Sequence, residues 1–151
     1  MKTFAIDTNL LVYAHNRDSP FHESAKTFIE TVMNERDENG SLGVCIPAQV
    51  FIEFISVITS NKLKMPLSIS QATAIVQEYL DTGITILTQK DSYLDNAIEL
   101  LKQATSRKRV FDVAIVAILR DNQISGIYTV NVEDFEGFTF LEVINPLTND
   151  K

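Results

Sequence analysis

The sequence holds a single cysteine, Cys45, so no disulfide can form within the chain. Flanked by Val44 and Ile46, it reads as a buried structural thiol rather than a nucleophile. A fold without disulfides fits a reducing, cytoplasmic setting. Glycine totals five, and none of the glycine-rich phosphate loops of NTPases and dinucleotide enzymes is present. There is no G-x-S-x-G elbow of a serine hydrolase. No apolar run approaches the ~20 residues of a membrane span. The opening Met1-Lys2-Thr3-Phe4-Ala5-Ile6-Asp7 meets its first acid too early to read as a signal peptide. His15 and His22 are the two histidines, and with one cysteine they make no compact zinc motif. Both read as ordinary polar residues near a loop and a helix start. Basic residues are outnumbered, 13 against 20, for a net charge of −7. That excludes a protein gripping nucleic acid mainly through a broad basic face. It does not exclude a nucleic-acid enzyme, because carboxylates that bind metal count as negative in the sum yet carry a cation in use. Most of the acids need no reason beyond solubility.

With 151 residues, 45% of them hydrophobic, the chain can bury a core, and residues 1–151 are expected to form one domain. Residues 3–6 read as a short buried strand, and the apolar stretch from Leu10 opens a helix. Ser19-Pro20 has the form of a helix start, and Phe21, Ala25, Phe28, Ile29, Val32 and Met33 follow with helical spacing. Strands are expected at 42–46 and 84–87, with a helix from Pro47 to about Ser60 between them. Ser68 and Gln71 have capping-box spacing, opening a helix to about Leu80. Leu94, Ala97, Ile98 and Leu101 mark an amphipathic helix. Residues 110–119 are apolar almost all round, as in a buried helix. Further strands are expected at 127–129 and 139–143. Short strands alternating with helices predict an α/β fold with a central, mostly parallel sheet of four to five strands flanked by helices. Sites in such sheets collect at the carboxyl ends of the strands.

Three acids stand in apolar settings. Asp7 closes the strand Phe4-Ala5-Ile6. Glu53 lies within Val50-Phe51-Ile52-Glu53-Phe54-Ile55. Asp112 is the lone charge between Val110 and Leu119. A carboxylate carried into such surroundings is costly unless it is paired, hydrogen-bonded or metal-bound. Each has a purely structural alternative. Asp7 can cap the following helix, Asp112 can serve the first turn of its own helix or pair with Arg109, and Glu53 can lie on an exposed stripe. Together they point to a converging set, whose mutual repulsion would hold a proton on one acid unless a cation joined them. Hard oxygen donors select Mg²⁺ or Mn²⁺. Metal held by acids suits phosphoryl chemistry.

The segments Ala5-Ile6-Asp7-Thr8-Asn9, Gln49-Val50-Phe51-Ile52-Glu53-Phe54, Phe111-Asp112-Val113-Ala114-Ile115-Val116-Ala117 and Tyr128-Thr129-Val130-Asn131-Val132-Glu133-Asp134-Phe135 resemble the PIN-domain family, in particular the VapC-type toxin ribonucleases. The closing Val143-Ile144-Asn145-Pro146 is similar to that family's tail. The resemblance spans nearly the whole chain in the family's order. It implies Mg²⁺- or Mn²⁺-dependent cleavage of RNA, usually by a homodimer and often with a cognate antitoxin. It implies that Asp7, Glu53 and Asp112 are the metal-binding, catalytic acids, with Thr8, Asn9 and Thr129 as supporting residues. One departure stands out. The family often places an acid two residues after the threonine of the last motif, and here that residue is Asn131, a neutral and weaker ligand. Asp134 is the acid placed to compensate.

Arg107-Lys108-Arg109 and Lys62 with Lys64 are the candidates for phosphate contact, though each alone also reads as a solvated helix end. Two other functions compete with a nuclease. One is a PIN-like RNA- or protein-binding module with little or no catalysis, which Asn131 favours. The other is an unrelated metal-dependent phosphohydrolase, which would act on small phosphate esters.

Overall fold

A computed structural model describes residues 2–104 and 106–148, the side chain of Lys108 excepted. Five strands form one sheet in the order β3-β2-β1-β4-β5, and every neighbouring pair is parallel. They are β1 (Phe4–Ile6), β2 (Val44–Pro47), β3 (Thr85–Leu87), β4 (Gly126–Tyr128) and β5 (Glu142–Ile144). The helices are α1 (Thr8–His15), α2 (His22–Asn34), α3 (Ala48–Ile58), α4 (Ile69–Asp81), α5 (Tyr93–Leu101) and α6 (Val110–Asp121). This is the parallel α/β architecture expected from the alternating apolar segments. None of the described helices is long and apolar enough to cross a membrane.

Strand β1 is the axis of the sheet. All its residues are buried, and its register pairs Ala5 with Cys45 on one side and with Ile127 on the other. From β1 the chain moves outward through β2 to β3, then returns past β1 to lay down β4 and β5. The gap between β1 and β4 is therefore the topological switch point, and a crevice opens there at the carboxyl edge. Right-handed crossovers put α1 to α4 on one face of such a sheet and α5 with α6 on the other. Helix α6 buries Val113 and the run Ile115, Val116, Ala117, Ile118 and Leu119, as its apolar sequence requires. At the sheet's centre, Phe4 stacks on Tyr128 with ring centroids 4.6 Å apart. A Cβ on Gly126 would sit 2.7 Å from the Phe4 ring, so only glycine lets β4 lie this close.

Caps fix several boundaries. Ser68 and Gln71 form the expected reciprocal capping box of α4. Pro47 ends β2 and leads directly into α3. Three details differ from the expectation. Helix α2 begins at His22, because Ser19 folds into its own turn: its hydroxyl accepts the Phe21 N–H at 3.1 Å and its carbonyl the His22 N–H at 3.1 Å. The last strand begins at Glu142, not at Thr139, because the preceding segment turns inward to bury Phe135 and Leu141. On α5 only Ala97 is fully buried, leaving Leu94 and Ile98 exposed at 64% and 46%.

Candidate active site

Asp7 is delivered to the switch point by β1. Its N–H still bonds to the Tyr128 carbonyl at 3.0 Å, the last link between β1 and β4. The next residue begins α1, and Asp7 is its N-cap, with Oδ1 accepting the Thr8 N–H at 2.8 Å. Oδ2 accepts the Thr129 hydroxyl at 2.7 Å. The carboxylate is only 6% exposed. Burial raises its pKa above the usual carboxylate range, against the lowering effect of those two hydrogen bonds, and repulsion from Glu53 and Asp134 adds to the rise.

Glu53 comes from the second turn of α3 and is half-buried. Thr8 donates its hydroxyl to Oε2 at 2.9 Å, and Gln49, one turn earlier on α3, donates its amide to Oε1 at 3.0 Å. Thr8 and Thr129 thus hold Glu53 and Asp7 in fixed orientations. Asn9 makes no side-chain hydrogen bond among the described residues.

Asp112 sits in the first turn of α6, where an acid is favoured by the helix dipole. Its carboxylate has no hydrogen-bond or ion-pair partner among the described residues. Its pKa is pushed up to about 6, first by burial, then by the charges of Asp134, Asp7 and Glu53; Arg109 offsets part of this. Asp134 ends a short 3-10 turn, Val132–Asp134, that follows β4. It is half-buried, whereas its neighbour Glu133 is exposed. Asn131 precedes that turn and donates its backbone N–H to the Thr129 hydroxyl at 3.0 Å.

Asp7, Glu53, Asp112 and Asp134 therefore form one electrostatically coupled group at the β1–β4 crevice. Among the described residues, no group of three or more His, Cys, Asp or Glu side chains is arranged so that it could hold a metal ion as it stands. The acids feel one another's charge without being drawn together. Gln49 was not singled out in the sequence; its one signal was the four-residue spacing to Glu53.

The basic candidates divide. Arg109 lies within electrostatic reach of Asp112, and Arg107 is exposed on the same 3-10 turn, Arg107–Arg109. The side chain of Lys108 lies outside the described residues. Lys62 and Lys64 are exposed in the loop after α3, beside Met65 and Leu67. Those two apolar residues line a different feature, a groove of about 680 Å³ between α2 and α4. At its floor His15 Nε2 meets the Tyr79 hydroxyl at 2.8 Å, and burial lowers the His15 pKa to about 4. The nitrogen Nδ1 of His22 meets the Tyr13 carbonyl at 2.9 Å. Both histidines, expected as ordinary polar residues near a loop and a helix start, are hydrogen-bonded residues lining this groove. Burial raises the Cys45 thiol to about 12, which keeps it a neutral core group.

Comparison with known proteins gives a consistent result. Over 148 residues the chain is 26% identical to ribonuclease VapC24 of Mycobacterium tuberculosis, covering 97% of this chain and 98% of that one. In fold it matches the Mycobacterium tuberculosis toxin VapC20, which cleaves the sarcin-ricin loop, with a TM-score of 0.68 at 14% identity, covering 90% and 95% of the two chains. It also matches VapBC2 of Rickettsia felis bound to a promoter DNA fragment, with a TM-score of 0.63 at 17% identity and coverage of 94% and 97%. The family model of the PIN domain matches residues 4–136, and the chain belongs to the PIN domain family.

Proposed function

We propose that residues 1–151 work as one PIN-like domain, a metal-dependent ribonuclease that hydrolyses RNA phosphodiester bonds as the toxin of a toxin–antitoxin pair. The observation that carries this is the acid group at the switch point, where burial and the charges of Asp134, Asp7 and Glu53 outweigh the offset from Arg109 at Asp112. Asp7, Glu53 and Asp112 are the catalytic, metal-binding acids of this reading, with Asp134 as a fourth ligand and Asn131 at the edge of the set. The donors fit a hard divalent ion: they are oxygens only, two have raised pKa values, and their repulsion calls for a cation. Mg²⁺ or Mn²⁺ is the ion of choice. When bound, such an ion supplies a water of lowered pKa and offsets charge on the phosphorane-like transition state.

The chain's own residues do the rest. Thr8 and Gln49 orient Glu53, and Thr129 with the Thr8 N–H orients Asp7. Burial of Asp7 keeps bulk water from competing at that carboxylate. Arg109 and Arg107, next to Asp112 in sequence, are placed to meet the phosphates that flank the bond to be cut. Lys62 and Lys64, exposed in the loop after α3, are the further candidates for phosphate contact in this reading.

A cognate antitoxin is part of the proposal, since solved neighbours include a toxin–antitoxin complex of Klebsiella pneumoniae. So is a homodimer, which would cover the apolar side chains left exposed on α5 and at the start of α6, Leu94, Ile98 and Phe111. The setting is cytoplasmic. A second reading keeps one observation in its favour: Asn131 offers an amide where charge is wanted, as in a binding module with little catalysis.

Incubating the purified protein with mixed RNAs and Mn²⁺, Mg²⁺ or EDTA decides between them. Cleavage that needs the divalent ion is expected. Intact RNA under all conditions would leave the binding module, and activity on small phosphate esters without preference for RNA would leave an unrelated phosphohydrolase. Light scattering that shows a monomer at high concentration would remove the dimer.

A further inference from the structure

Beside the acids, the carboxyl edge of the sheet opens into a second cavity of about 490 Å³, lined by Val130, Asn131, Glu133, Asp134, Asn145 and Thr148 among others. Its size lies within the roughly 300–1,000 Å³ usual for pockets that take small ligands or parts of larger ones. Two loops build it, one leaving β4 and one leaving β5. Thr129 ties both to the site. Its hydroxyl, which donates to Asp7, accepts the Asn131 N–H at 3.0 Å, and its own N–H donates to the Ile144 carbonyl at 3.0 Å. The walls are thus held at a fixed offset from the acid that faces the reaction.

The chemistry of the walls is selective. Among the described residues no cation lines the cavity, while Glu133 and Asp134 do, so those walls disfavour a phosphate. Asn145 spends its Oδ1 on the Leu147 N–H at 3.0 Å, and its Nδ2 has no partner among the described residues. The carboxamide of Asn131 is likewise unengaged among the described residues and exposed. Glu133 is an exposed acceptor. Val130 and Val132 offer apolar contact to a flat ring. Paired donors and acceptors over an apolar floor are what reads a base edge, and RNA is read where unstacked bases can be splayed out.

We propose that this pocket receives the unstacked nucleobase flanking the scissile phosphate and selects bases that carry an exocyclic amino group over uracil. The inference rests on the ribonuclease reading for its substrate. The Glu133 carboxylate accepts N–H donors and repels carbonyl oxygens; adenine, guanine and cytosine present it an amino group, whereas the single N–H on uracil's pairing edge is flanked by two carbonyl oxygens. The rigid link through Thr129 makes the pocket a ruler, setting which bond lies over the acids.

The test uses single-stranded oligoribonucleotides that differ only at the base beside the cut, including an abasic version. Uracil and abasic substrates are expected to show kcat/KM at least about fivefold lower, the range of one good base contact. Asn145→Asp keeps the acceptor that holds Leu147 but replaces the free donor with an acceptor, so it should change the ratio among the bases. In parallel, uncharged nucleosides are titrated into the protein in EDTA and the amide signals of Asn131 and Asn145 followed by NMR. Metal-dependent cleavage with equal rates at all bases, or with ratios unchanged in Asn145→Asp, overturns the pocket and leaves the nuclease standing. If no RNA is cleaved, the ribonuclease reading fails by itself, and the nucleoside titration still decides whether the pocket takes a base.

Discussion

Replacing Asp112 by asparagine should stabilise the metal-free protein, the reverse of what a substitution in an active pocket usually does. The carboxylate is held in a partly buried site facing Asp134, Asp7 and Glu53, and its pKa rises from 3.8 to about 6. Each unit of such a shift corresponds to about 1.4 kcal/mol, so the full rise is worth roughly 3 kcal/mol of destabilisation when the group is ionised. Asp112 is only half-buried, and solvent screening reduces this to about 1–2 kcal/mol. Against it stands the favourable place of an acid in the first turn of α6, about 0.3–1 kcal/mol. The net expectation is a gain between zero and ~1.7 kcal/mol, which at about 2–4 °C per kcal/mol for a chain of this size raises the melting temperature by up to several degrees. Divalent metal should reverse the order. At about 100 times its dissociation constant, one ion adds roughly 2.7 kcal/mol to the parent protein, and the variant should gain far less. Thermal melts at pH 7.5 in EDTA and in Mn²⁺ give all the numbers needed. A variant that melts below the parent in EDTA would show that Asp112 is a stabilising residue of α6, and the reading of a strained acid set would be wrong.

Three further outcomes are expected. Asp7→Asn should abolish metal-dependent RNA cleavage while leaving a folded protein, since the amide still caps α1 and meets Thr129; cleavage surviving in that folded variant would sink its assignment. The pH dependence follows from the raised pKa of Asp112. Its folded pKa lies above the unfolded one, so its contribution favours the fold at low pH and is lost as pH rises from about 4 to about 6. Metal affinity should climb through the same window as the proton leaves, and a calorimetric metal titration that is flat between pH 5 and 7 would contradict it. Asn131→Asp should tighten Mn²⁺ binding and Asp134→Asn should weaken cleavage without unfolding the protein. If the first leaves affinity unchanged and the second is silent, neither residue is a ligand.

The parts of the site that were legible in the sequence are those where a charge breaks an apolar pattern. Asp7 after Phe4-Ala5-Ile6, Glu53 within α3 and Asp112 in α6 each conflict with their surroundings. Asp134 was harder to read because it shares a polar loop with Glu133, and spacing alone cannot say which turns inward. The 3-10 turn decides it, leaving Glu133 exposed and Asp134 half-buried. Gln49 escaped notice because a polar residue four places before a helical acid is common and usually faces water. The start of the last strand is hidden in the same way. Phe138-Thr139-Phe140 has the composition of a strand, yet it forms the bend that carries Leu141 into the core. The second pocket has no local signature, because it joins loops separated by about a dozen residues.

Helix α1 has eight residues, Thr8–His15, and so measures about 12 Å from end to end. At its first turn Thr8 grips Glu53, and at its last turn His15 grips Tyr79 in the floor of the large groove. Packed between the sheet and α2, with Leu10 and Leu11 wholly buried, it has no room to bend. One short helix thus has its first hydroxyl on a candidate acid and its last side chain in the floor of the groove, so the two features are spaced by the length of α1.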